Sequence, residues 1–266
     1  YKTKKMDLAG IISCAGVFSV FFGFMYGSFF GFEDVLKAIW LKPMNQMMDV
    51  PLVGRLNAVF VIAIGFGMFI ILICMVFNII NSIRRGDTEK TWFDSNAVAG
   101  LVFYGSIVLT IGLFISGKKL PAAAILVIMF GVPLLLMFLK EPLTNLVEKK
   151  SEILPEQKGM FFVQSFFELF EVLLSYLSNT LSFLRIGAFA VSHAAMMEVV
   201  LMLAGATNGG SPNWIVVVLG NIFVCAMEGL IVGIQVLRLE YYEIFSRFYA
   251  GNGREFKPFM KAAHKN

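Results

Sequence analysis

The sequence predicts an all-α fold, a polytopic membrane bundle of about six transmembrane helices whose last two are long and tilted. Composition is the first observation: the chain is 58% hydrophobic and 15% charged, whereas soluble domains carry about 25% charged residues. The second is a series of four charge-free runs, since about 20 apolar residues cross a hydrocarbon core of roughly 30 Å. These runs are residues 8–32, 56–83, 95–117 and 120–139.

Polar residues bound these predicted spans. The second span stops at Arg84-Arg85-Gly86, and Asp94-Ser95-Asn96 offers the third span a capping residue. Gly117-Lys118-Lys119 predicts a tight turn into the fourth span, where Pro121 falls in the first helical turn and its missing N–H does no harm. The polar residues 140–158 follow as a loop or as a helix at the membrane interface.

A turn divides the last third of the chain into two long helices. Residues 199–227 are free of charge, but the Gly-, Pro- and Asn-rich cluster 208–213 is typical of a turn. The fifth span is therefore predicted over residues 159–206 and the sixth over 213–250. A sixth helix about 55 Å long must tilt or project from the bilayer.

The distribution of basic residues predicts the orientation of the bundle. Six spans place both termini on one side, and that side holds 15 Lys and Arg residues against five on the other. This asymmetry predicts that both termini lie in the cytoplasm. It also accounts for the net charge of +4, so the lipid bilayer is an expected partner and nucleic acid is not.

No residue pattern indicates an enzyme. Cys14, Cys74 and Cys225 lie in apolar stretches without metal-ligand spacing, and we expect buried, reduced thiols. The sequence contains no P-loop and no other glycine-rich phosphate loop. We therefore expect no metal, no cofactor and no catalytic residue in this chain.

The two long helices carry ionisable side chains at membrane depth, where an arginine costs about 2.5–3.5 kcal/mol and commonly marks an ion pathway. A snorkelling side chain or a structural ion pair is the alternative, and it weighs more at Arg238 because Glu240 and Glu243 are close in sequence. The predicted ion-translocating residues are Arg185, Arg238, Glu171, His193, Glu228 and Gln235. Ser178, Ser182, Glu168 and Glu198 are further candidates for lining the pathway.

Helical spacing places these residues above and below an arginine. Glu171 and Arg185 are 14 residues apart, so they share a helix face at a separation of about 21 Å. His193 lies about 12 Å beyond Arg185. Glu228 and Gln235 share a face of the next helix because they are seven residues apart. The pattern predicts a positive barrier between two polar stretches.

Two segments resemble the large membrane subunit of the rotary V-type and A-type ATPases, called subunit a or subunit I. Residues 182–194, SFLRIGAFAVSHA, are similar to its signature. Residues 228–240 and the FKPF stretch 256–259 are similar to its final helix and tail. The resemblance covers residues 160–259, and residues 22–31 more loosely resemble the prokaryotic branch.

The resemblance implies that residues 1–266 are a membrane-embedded stator domain, without the family's N-terminal cytoplasmic domain and its first two spans. Arg185, with Arg238 beside it, would face a rotor ring of small membrane subunits that each carry an ion-binding carboxylate. Glu171 would line the cytoplasmic half-channel for H⁺ or Na⁺, and His193 and Glu228 would line the other half-channel.

The resemblance also implies partners and a location. Other stator and central-stalk subunits would bind the chain, and ATP hydrolysis or synthesis would take place on other subunits. Gln235 stands where vacuolar members tend to have histidine, which favours the prokaryotic branch and a plasma membrane. The alternative function is a secondary ion transporter or antiporter, which would show repeat symmetry or a helix broken at a binding site. A purely structural scaffold would leave the buried arginines unexplained.

Overall fold

Helices make up nearly all of the fold. The computed structural model describes residues 7–28, 31–32, 39–40, 47–50, 54–86, 91–118, 121–147, 158–206, 211–249 and 251. The helices are α1 (Asp7–Tyr26), α2 (Ala58–Arg85), α3 (Val98–Ile115), α4 (Ala123–Phe138), α5 (Lys140–Val147), α6 (Lys158–Ser182), α7 (Leu184–Leu203) and α8 (Trp214–Leu239). A π-helical segment (Glu240–Phe245) connects α8 to α9 (Ser246–Phe248).

The described helices account for the predicted membrane spans. Five helical stretches are long and apolar enough to cross a membrane, or six if α4 and α5, which are bent by 74° relative to each other, form one span. The predicted all-α polytopic bundle is therefore confirmed. The last two stretches, Gly159–Leu203 and Trp214–Phe248, have 45 and 35 residues. At 1.5 Å per residue the first is about 68 Å long, more than twice the thickness of the hydrocarbon core.

Helix α2 shows why the second span begins and ends where the sequence predicts. Asn57 precedes it as an N-cap, and its side-chain oxygen accepts a hydrogen bond from Val59 N at 3.0 Å. Gly86 ends it with φ 72°, and its N–H donates to Ile83 O at 3.1 Å. Glycine adopts this left-handed conformation without strain, so it terminates the helix after the two arginines.

Three predicted details are wrong. Helix α1 ends at Tyr26 rather than at residue 32, because Gly27 leaves the helix with φ 67°. The N-cap of α3 is Ala97, which has no side-chain cap, and Asp94 Oδ1 instead accepts from Ser95 N at 2.8 Å. Of the three cysteines expected to be buried, only Cys74 is.

A β-hairpin lies in the connection between the first two spans, where the sequence analysis predicts no strand. β1 (Met47–Val50) pairs antiparallel with β2 (Gly54–Asn57), with Val50 opposite Gly54. β2 leads directly into α2, so the hairpin fixes the direction in which that helix starts.

The two long final elements are each subdivided. The predicted fifth span, residues 159–206, consists of α6 and α7, which are separated at Phe183. The backbone tightens there, because Phe183 N donates to Thr180 O at 3.3 Å and Ile186 N donates to Phe183 O at 3.1 Å. The predicted sixth span begins at Asn213, whose Oδ1 caps the helix by accepting a hydrogen bond from Ile215 N at 3.1 Å, and it changes to π-helical geometry after Leu239.

The main core lies where α2, α3, α4 and α6 meet. Its buried residues are Met68, Ile71, Met75, Ala99, Phe103, Tyr104, Met137, Tyr176, Phe183 and Leu239. The outer faces of the helices carry exposed apolar side chains, and no residue of the stretch Ala9–Tyr26 is buried against the rest of the described chain. Such outer faces suit a lipid environment, in which helices need not bury their apolar surface.

Candidate functional site

Arg185 lies in the first turn of α7 and reaches towards α8. Its Nη1 donates to the backbone oxygen of Gln235 at 3.3 Å, and the side chain is half-buried. The structure thus brings two of the predicted residues together, through the backbone of Gln235 rather than through its side chain. A glutamine is therefore not required for this contact, since any residue offers the same carbonyl.

Arg238 stands three residues further along α8 and is exposed. Its guanidinium carbon lies 6.0 Å from the centroid of the Tyr242 ring, at the outer limit of a cation–π contact. From the sequence, a structural ion pair with Glu240 or Glu243 is the alternative role of Arg238. Neither of these described carboxylates forms an ion pair with Arg238.

His193 and Glu228 meet between α7 and α8. His193 Nδ1 lies 2.6 Å from Glu228 Oε2, which is hydrogen-bonding distance and becomes an ion pair when the histidine is protonated. The histidine side chain keeps 46% of its accessible surface and the glutamate 18%. Two residues predicted on separate helices therefore form one partly exposed polar contact.

An open polar cavity of about 290 Å³ lies beside the middle and the second half of α6. Helix α6 lines it with Glu168, Glu171, Ser175 and Asn179, which are spaced three or four residues apart and so occupy one face. Glu168 forms an ion pair with Lys140 at the start of α5. Glu171 is exposed and makes no ion pair with a described residue, so its carboxylate is free to be hydrated in the cavity.

The opposite wall of this cavity contains a buried arginine that the sequence analysis missed. Arg247 is 6% exposed, its Nη1 donates to Asn96 Oδ1 at 2.9 Å, and its guanidinium carbon lies 5.8 Å from the Tyr176 ring centroid. Arg247 is one of the 15 basic residues that the charge distribution places on the cytoplasmic side. Its partner Asn96 is 151 residues away, and no local pattern signals such a contact.

Glu243 is a second residue that the sequence did not indicate as part of the site, and its partner Ser182 lies three residues before Arg185. Glu243 is 8% exposed and accepts a hydrogen bond from Ser182, a predicted lining residue three positions before Arg185. Its other oxygen, Oε2, has no partner among the described residues. The π-helical segment that carries Glu243 has no signature that sequence reasoning could use, although π-helical turns are frequent at functional sites.

Two predicted lining residues stand apart. Ser178 and Glu198 are exposed, and neither makes a hydrogen bond or an ion pair with a described residue. Apart from Arg238, the other candidates form an ordered series along α6 and α7. The cavity with Glu171 comes first, Ser182 with Glu243 next, Arg185 with Gln235 after that, and His193 with Glu228 last. The half-buried guanidinium of Arg185 thus stands between two groups of polar side chains.

Comparison with known proteins agrees with the resemblance that the two motifs predict. Residues 139–261 match the V-type ATPase 116kDa subunit family. An A-type ATP synthase subunit I from Pyrococcus horikoshii is 25% identical over 97% of the chain. Over shorter stretches, an A-type ATP synthase subunit I from Saccharolobus solfataricus is 42% identical over 34% of the chain, and the human V-type proton ATPase 116 kDa subunit a 3 is 32% identical over 44%.

These matches confirm the resemblance to subunit I and subunit a. The chain spans a minor part of each relative: 37% of the Pyrococcus protein, 14% of the Saccharolobus protein and 15% of the human protein. The family match contains α6, α7, α8 and the π-helical segment, and so every candidate residue discussed above except Asn96.

Proposed function

We propose that this chain is the membrane stator domain of a rotary ATPase subunit I, and that it carries H⁺ or Na⁺ through two half-channels separated by Arg185. The observation that carries the proposal is the position of the Arg185 guanidinium, half-buried between a polar cavity on one side and the His193–Glu228 contact on the other. The similarity of the whole chain to A-type ATP synthase subunit I supports the same function.

The chemistry of the proposed stator follows from electrostatics. A rotor carboxylate that arrives with a bound proton or Na⁺ meets the guanidinium, which stabilises the ionised carboxylate and so releases the ion. Arginine suits this role because it keeps its charge when partly buried. The same charge repels a cation that would pass directly from one half-channel to the other.

The two polar regions supply the half-channels of the proposal. The cavity with Glu171 lies on the side that the charge asymmetry places towards the cytoplasm, and Glu171 offers a hydrated carboxylate to entering cations. His193 and Glu228 lie on the opposite side of Arg185 along the same helices. Ser182 and Glu243 lie between the cavity and Arg185, and we add Glu243 to the proposed path.

The proposal assigns no catalytic residue and no cofactor to this chain. Hydrolysis or synthesis of ATP belongs to other subunits, and the partners are the rotor ring together with the remaining stator and central-stalk subunits. The proposed location is a prokaryotic plasma membrane with both termini in the cytoplasm.

Replacing Arg185 by lysine tests the proposal most directly. Lysine keeps a positive charge, but its ammonium group is compact and strongly hydrated and cannot offer a planar pair of donors. We expect ATP-coupled ion uptake into vesicles, normalised to assembled complex, to be nearly abolished. Arg238→Lys should be milder, because Arg238 is exposed and its described contact is with an aromatic ring.

The matched control is Arg84→Lys, which makes the same exchange at an exposed position at the end of α2. We expect this variant to pump like the wild type. Near-normal pumping by Arg185→Lys, at wild-type assembly, would refute the proposed role of Arg185 and leave it a packing residue.

A further inference from the structure

The helix that carries Arg185 is held against α2 by an unusually close contact. Phe183, two residues before Arg185, is completely buried, and it packs on Gly67 of α2. A methyl group built on Gly67 would lie 2.6 Å from Phe183 Cβ and would overlap the ring. Phe183 therefore occupies the space that a side chain at position 67 would fill.

The two helices make a second contact in which the roles are exchanged: the glycine is on α7 and the phenylalanine is on α2. Gly187, two residues after Arg185, faces Phe60 of α2. A methyl group on Gly187 would lie 2.9 Å from Phe60 Cδ1 and 3.2 Å from Phe60 Cα. Because the Cα belongs to the backbone, a rotation of the Phe60 side chain alone would not relieve this crowding.

Helical geometry makes these contacts a pair. Phe183 is the N-cap of α7 and Gly187 lies one turn further on, and Phe60 and Gly67, seven apart, share one face of α2. Arg185 lies midway between the first two, about 200° around the helix from either. It therefore points away from α2, which agrees with its hydrogen bond to Gln235 of α8.

We propose that these two contacts, the phenylalanine–glycine clasp of Phe60, Gly67, Phe183 and Gly187, are a positioning device that fixes the rotation of α7 and hence the direction of Arg185. The proposal rests on the proposed function, because the direction of Arg185 matters only if it faces the rotor. Each rotor step exerts a force on the stator helix that carries the guanidinium. Two aromatic rings seated against glycines at separate points resist the rotation of that helix.

The contact between Arg185 and α8 is too weak to fix the direction of the Arg185 side chain. The hydrogen bond from Arg185 to Gln235 is 3.3 Å long, beyond the usual 2.9–3.0 Å, and so weak. The clasp is instead made of buried, close-packed groups, and protein interiors respond to the addition of a single methylene. A misplacement of about 1 Å at a functional group can cost about 100-fold in rate.

The test uses Gly67→Ala in the full subunit within the assembled complex, reconstituted into vesicles. ATP hydrolysis and ion uptake are measured on the same vesicles. We expect the ratio of ions transported to ATP hydrolysed to fall about tenfold or more at wild-type assembly. A purely structural role would lower the yield of complex and leave that ratio unchanged.

The matched control is Gly65→Ala, two residues away on the other side of α2. Gly65 is exposed, and a methyl group built there meets nothing within 4 Å. Because alanine favours a helix over glycine, this variant should assemble and couple normally. The second arm is rescue: Phe183→Ala added to Gly67→Ala removes Cγ and the ring, which lie nearest to the added methyl group, and should restore part of the ratio.

If Gly67→Ala does not assemble, Phe183→Leu alone decides the question, since a smaller side chain loosens the clasp without crowding it. We then expect a lower ratio at normal assembly. A wild-type ratio in assembled Gly67→Ala, a wild-type ratio in Phe183→Leu, or no rescue in the double variant would overturn the proposal. Arg185→Lys is measured alongside: if it is inactive while Gly67→Ala couples normally, the clasp fails and the proposed function stands.

Discussion

His193 and Glu228 provide a quantitative test of the half-channel on the side opposite the cavity. Their side chains touch at 2.6 Å across α7 and α8, so a variant of either residue should change the effect of the other. Because the two side chains keep 46% and 18% of their accessible surface, water competes for the hydrogen bond. We therefore assign the contact about 1 kcal/mol, the middle of the range for hydrogen bonds. That energy corresponds to about fivefold in a rate.

The experiment is a double-mutant cycle of His193→Ala and Glu228→Gln, with the initial rate of ion uptake normalised to assembled complex. Each single variant should slow uptake, because each removes a group that can carry or attract a cation. The double variant should be about fivefold faster than the product of the single effects predicts.

The control cycle pairs His193→Ala with Glu198→Gln. Glu198 lies on the same helix as His193, is exposed, and makes no ion pair with a described residue. Its effect should multiply with that of His193→Ala. If the His193 and Glu228 effects also multiply without coupling, the contact plays no part in transport and the reasoning above is refuted.

Two further predictions concern the cavity and the topology. Glu171→Gln keeps the shape of the side chain but removes its charge from the cavity, so uptake should slow while assembly is unchanged; wild-type uptake would remove Glu171 from the path. A cysteine at Lys118 should react with a membrane-impermeant maleimide from outside, and one at Arg85 only after the membrane is opened. The reverse pattern would contradict the predicted orientation.

Hydropathy and turn residues predicted the helical part of the fold, because a membrane span is a continuous apolar run that is visible in a short window of the sequence. The predicted span 56–83 corresponds to α2 (Ala58–Arg85), and α8 starts next to Asn213, where the turn residues predict the start of the sixth span. The errors arose where the backbone depends on a single residue. Helix α1 stops at the left-handed Gly27, and nothing in the composition before residue 32 signals that choice.

Helical spacing gave the order of the candidates along α7 and along α8, because both helices are regular between Arg185 and His193 and between Glu228 and Gln235. It failed at Glu243 and Arg247. Ser182 is 61 residues from Glu243, and Asn96 is farther still from Arg247, so both contacts depend on how distant helices pack. The clasp was missed for the same reason, although Gly187 is visible in the sequence as a small residue near Arg185.

The exposure of charged groups on the final helices argues for a protein partner on that surface. Arg238, Glu240 and Glu171 are exposed in the isolated chain, whereas Glu243 and Arg247 of the same final segment are turned inwards. An arginine facing lipid near the middle of the bilayer would cost about 2.5–3.5 kcal/mol. This cost disappears if the exposed charges face water or the carboxylates of another subunit. The proposed rotor ring would supply both, whereas a solitary transporter would leave the outward charges in lipid, and the exposed charges therefore favour the proposed stator function over that alternative.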